Sequence, residues 1–146
     1  MKNMKKMMFV LCAILVAFSL VSCKQVGKTD NVVVNIGKSD KFSVEEINVA
    51  LNCVKKSFKN YEGCNLTKLW YDDEKSNNSV KGYLKNGRGS VNGAKAENVI
   101  VLLSNFDVGP SDVGGTLNLN STYSDWMWIL IRDSKTGNWK VDDIGY

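Results

Sequence analysis

"STYSDWMWILIRDSKTGNWKVDDIGY", Ser121 to Tyr146, decides how the fold is read. Successive strand residues point to opposite faces of a sheet. Trp126, Trp128 and Leu130 therefore share one face, and Met127, Ile129 and Ile131 share the other. Apolar side chains on both faces mark a strand covered on both sides, hence a central one. "DSKTGN" then supplies a turn, with Gly137 able to take a positive φ. Trp139, Val141 and Ile144 complete a returning strand.

A central strand needs partners upstream. "ENVIVLLSNFDV" (Glu97–Val108) is a continuous apolar run that fits a strand buried on both faces. "CNLTKLWY" (Cys64–Tyr71) combines β-branched and aromatic residues and reads as a further strand. "DDEKSNNS" after it reads as a loop, "VKGYLKN" as a short helix, and "GRGSVNG" and "GPSDVGGTLNLN" as Gly-rich loops. The clearest helix is "FSVEEINVALNCVKKSFKNYEG", Phe42 to Gly63. Ser43 with Glu46 three residues on forms a capping box, and Phe42 and Ile47 take the staple positions around it. Ile47, Ala50, Leu51, Val54 and Phe58 recur at helical spacing as one apolar face. Lys55, Lys56 and Lys59 sit where the helix dipole favours cations.

The chain opens "MKNMKKMMFVLCAILVAFSLVSC". Lys2, Lys5 and Lys6 form a basic region, and Phe9 to Val21 is an apolar run of signal-peptide length. It is short for a membrane span, which needs about 20 apolar residues. "LVSC", Leu20 to Cys23, resembles the lipobox of bacterial lipoproteins. That resemblance implies a diacylglyceryl group on Cys23 and removal of residues 1–22 as signal peptide. It implies a lipid-anchored protein on the extracytoplasmic face of a cell membrane. The Lys- and Asn-rich composition points to a Gram-positive source. Residues 23–41 then read as the lipidated Cys and a tether spanning roughly 25 Å if flexible, and residues 42–146 as the domain. "VVVNI", Val32 to Ile36, leaves an edge strand open as an alternative.

Of the 19 basic residues three lie in the signal, whereas none of the 15 acidic ones do; the mature balance falls from +4 to +1. No basic stripe of the kind nucleic-acid binding needs is present. The chain has no histidine, which excludes His-based triads and His-ligated zinc. No acidic loop has the spacing of a calcium-binding EF-hand loop, so neither metal nor cofactor is expected. Cys53 and Cys64 remain as a disulfide in an exported chain or as two separate thiols.

The helix followed by strands ending in "WILIRDSKTGNWKVDDIGY" resembles the NTF2-like (cystatin-like) α+β fold. "FSVEEI", "LTKLWYDDEKS", "VIVLLSNFDV" and "STYSDWMWILIRD" are similar to small lipoproteins of Clostridia and related gut bacteria. The resemblance implies an N-terminal amphipathic helix packed in a curved antiparallel sheet, a cone with a pocket at its open end. Trp70, Tyr71, Trp126 and Trp128 would line that pocket, because aromatic rings offer broad contact area; they could equally fill the core, as could Trp139. Asp72, Asp73, Asp125, Asp142 and Asp143 lie beside strand residues, either as bases or as solvated strand ends. The expected function is a membrane-anchored binding or accessory module for a small ligand or a protein, open to homodimerisation through its sheet face. The alternatives are a small pocket isomerase or lyase, or a surface immunity or inhibitor protein.

Overall fold

The computed structural model describes residues 26–111 and 115–146. Strand β1 (Val33–Ile36) leads into helix α1 (Val44–Phe58), strand β2 (Cys64–Tyr71) and helix α2 (Asp73–Asn86). Two single 3₁₀ turns, Arg88–Ser90 and Ala96–Asn98, precede β3 (Val99–Val108), β4 (Thr122–Ile131) and β5 (Lys140–Gly145). The five strands form one sheet in chain order. β1 runs parallel to β2, and the other neighbours are antiparallel.

This corrects the expected architecture. The sheet is mixed, not antiparallel, because α1 serves as the crossover that two parallel strands require. The first described helix is preceded by a strand, so it is not N-terminal to the sheet. A second long helix covers the opposite face. On β3, Ile100, Leu102 and Phe106 pack with Ile47, Leu51, Val54 and Phe58 of α1. Val99 and Val101 point the other way and pack with Val80 and Tyr83 of α2. β4 divides likewise, with Trp128 and Leu130 toward α1 and Met127, Ile129 and Ile131 toward α2. A sheet with a helix on each face replaces the cone of the resemblance.

Several local expectations meet their geometry. Ser43 Oγ accepts from the Glu46 amide at 3.2 Å, and Glu46 returns the bond to the Ser43 amide at 2.8 Å. "VVVNI" supplies β1, so part of the segment read as a tether belongs to the sheet. "DDEKSNNS" is no loop: with Asp72 as N-cap, accepting from the Lys75 amide at 2.9 Å, it forms the first half of α2. Gly137 takes no positive φ; its amide closes the turn on the Ser134 carbonyl. Cys53 and Cys64 form no disulfide: the Cys53 thiol donates to the Trp139 carbonyl and the Cys64 thiol to that of Glu62.

Candidate functional site

One lateral row of the sheet sets the floor of a cleft. Trp70, Leu103, Met127 and Gly145 stand side by side across β2 to β5. Opposite Asn105 the β3–β4 register shifts, because two β4 residues, Ser124 and Asp125, stand against this one, a bulge of one extra residue. The Asn105 side chain accepts from the Asp125 amide at 3.0 Å. Asp125 is thereby held at φ 55, a left-handed conformation that Asp tolerates better than most residues. The bulge aims the Asp125 carboxylate at α2, where Lys75 meets it at 2.9 Å. Lys75, Asn78, Ser79, Leu103, Asp125, Met127 and Tyr146 line an open cleft of about 320 Å³. The bond to Asp125 raises the Lys75 pKa and keeps the ammonium charged. The Ser79 hydroxyl lies 3.3 Å from the Met127 sulfur. The cleft thus offers an ammonium, a carboxylate and two neutral polar groups above an apolar floor.

Two tyrosine–carboxylate pairs flank this region. Tyr71 donates to Asp73 Oδ1 at 2.6 Å, and Ser39 bonds both partners at 3.0 Å. Burial, reinforced by Asp73, pushes the Tyr71 hydroxyl up to about 12. Nearby Lys41 reaches the Val99 carbonyl, and burial lowers its pKa. Tyr83 donates to Asp142 at 2.6 Å and accepts from Asn92 at 2.7 Å. It too is pushed up to about 12, by burial and then by Asp142. Both pairs tie helix α2 or its flanks to distant segments.

The residues expected to line a pocket are not brought together. Trp70 is half-buried on the α2 face with the Lys68 ammonium 4.6 Å from its ring, beside the cleft floor but outside the lining. Tyr71 lies on the other face, in the core. Trp128 is fully buried and donates to Ser104 at 2.8 Å. Trp126 packs edge-on to Phe106, Tyr123 and Tyr146, with its indole N–H buried. Trp139 stacks under Arg132. Of the five acids named, only Asp125 lines the cleft; Asp72 caps α2, Asp73 and Asp142 hold tyrosines, and Asp143 accepts from the Ile144 amide. Lys75, Asn78 and Ser79 escape sequence reasoning because "DDEKSNNS" hides a helix, although Asp72 followed by Asp73 and Glu74 is a recognisable N-cap and first turn. Cys23 lies outside the described residues.

No curated protein and no solved structure matches the chain. Residues 24–145 match one family model, described as Domain of unknown function (DUF4829), and the chain belongs to that family.

Proposed function

We propose that this is a binding module, anchored at the extracytoplasmic face of a membrane through lipid on Cys23, whose cleft takes a short peptide or amino-acid-like ligand. The observation that carries the reading is the Lys75–Asp125 pair, joined at 2.9 Å yet more than half exposed on both sides. It stands over the apolar floor of Leu103 and Met127. A ligand with its own carboxylate and ammonium can exchange partners with this pair while Asn78 and Ser79 hydrogen-bond its amides. Ligand sites join such convergent polar groups to an apolar surface. Binding is proposed over catalysis because Asp125 and Lys75 face each other across an open cleft, more than half exposed, whereas catalytic groups work best in a site closed to water.

Met127 is the only methionine after residue 8, so its methyl group is a built-in probe of the cleft. Short peptides titrated into the mature protein should shift the ¹³C-methyl resonance of Met127 saturably. Lys75→Ala or Asp125→Ala should weaken binding roughly tenfold, as expected for loss of a charged hydrogen bond. A methyl resonance indifferent to every peptide, in a folded chain, removes the proposal. The anchor has its own test: Cys23→Ala should abolish lipid labelling and membrane fractionation.

A further inference from the structure

The sequence offers a long tether before α1, but the fold uses most of it. The Gly27 amide donates to the Lys59 carbonyl at 3.0 Å. A Cβ on Gly27 would collide with the Phe58 carbonyl, so the chain lies flat against the C-terminal end of α1. The Lys28 amide donates to the Cys64 carbonyl, and its own carbonyl accepts from Leu66, both at 2.9 Å. Only Lys24, Gln25 and Val26 separate Cys23 from Gly27. Even fully extended, that stretch reaches roughly 14 Å.

We infer, resting on the proposed lipid on Cys23, that this end of the domain docks directly on anionic phospholipid headgroups. A groove of about 300 Å³ opens where the chain enters, between Val26, Lys28, Gly63 and Pro110. Val26 and Leu119 are 57% and 49% exposed, and the Asn120 amide ties the Leu119 loop to Gly109 beside the groove. Among the described residues, Lys28, Lys55, Lys56 and Lys59 outnumber Asp30, Glu62 and Asp107 in this part of the chain. Exposed apolar tips among lysines suit a headgroup layer, where each basic residue near an anionic surface strengthens attachment by roughly fivefold. The opposite end, with Lys41 and Arg132, then stands about 30 Å from the membrane, the length of the ten-residue strand β3.

The test is amide hydrogen exchange on the lipoprotein matured from the full chain. It is compared in detergent, in phosphatidylcholine vesicles and in vesicles that also contain phosphatidylglycerol. Vesicles with phosphatidylglycerol should slow exchange at residues 26–28, 60–65 and 117–121, and leave 133–137 unchanged. Lys28→Glu with Lys59→Glu should cut that protection by roughly 25-fold or more, about fivefold for each lysine lost. Protection at 133–137 instead, or none in a chain whose Cys23 peptide carries lipid, overturns the docking alone. A Cys23 peptide of unmodified mass overturns the anchor and the docking with it.

Discussion

Arg132 is buried, with 4% of its side chain exposed, yet it carries a full charge. Its guanidinium donates to Glu46 at 2.8 Å and lies 4.4 Å from the Trp139 ring centre. It thereby joins the end of β4 to the capping box of α1. Arg132→Lys keeps the charge but loses the planar fork and the stacking. Chemical denaturation should show a loss of about 1.5–3 kcal/mol, the range for a hydrogen bond to a charged group. The Ser43 amide, helped by Arg132 against partial burial, holds the Glu46 carboxyl below the usual range. Stability from Glu46 is therefore present above its unfolded value of 4.5 and lost as pH falls through the lower folded value. Tyr71 and Tyr83 act at the other extreme. Their folded values near 12 exceed the unfolded 10, so the folded state holds protons that the unfolded chain releases. The tyrosine contribution to the denaturation midpoint should stay level below pH 10 and fall away between about pH 10 and 12. Tyr71→Phe with Tyr83→Phe should flatten that fall, and an unchanged slope in the double variant would refute the assignment.

At the level of elements, legibility followed the thickness of the apolar face. α1 announces itself because five buried residues recur at helical spacing behind a reciprocal cap. β3 and β4 are equally plain, since both faces of each are covered by side chains that have to be apolar. α2 buries only Ser76, Val80 and Tyr83, too few for a visible period, and its Asn and Ser residues imitate a loop. The cleft residues ride on that helix, so the site stayed hidden with it. β1 is a four-residue edge strand with only every second residue half-buried; its pairing depends on β2, which local sequence cannot reveal. The lead-in to β1 offers a direct test. Gly27→Ala places a methyl against the Phe58 and Tyr61 carbonyls, so the segment has to lift away. Limited proteolysis should then cut near residue 28 in the variant and spare the wild type, while the α1–β3 core stays resistant. Equal resistance in both chains would mean that the segment is not seated as described.

For the whole molecule, the mixed sheet with a helix on each face explains why stability need not come from a covalent staple. Two apolar layers are buried, one between α1 and the sheet and one between α2 and the sheet. The smaller layer closes with Leu84, Ala94, Met127, Ile129 and Ile131 at its margin. Two cysteines among the described residues invite a disulfide, but neither thiol is bonded to the other. Cys53 projects from α1 toward β5, where its thiol bonds the Trp139 carbonyl and burial raises its pKa. Cys64 opens β2 inside the core. A bridge over this short span would contribute about 3 kcal/mol, a shift of roughly 10 °C in a domain of this size. The thermal unfolding curves of the protein with and without a strong reductant should therefore superimpose. Cys53→Ala should likewise unfold at the same temperature in both conditions. If reductant instead lowers the wild-type midpoint by several degrees and leaves Cys53→Ala unmoved, the two thiols are joined in the native protein and the end of α1 is seated differently on β2.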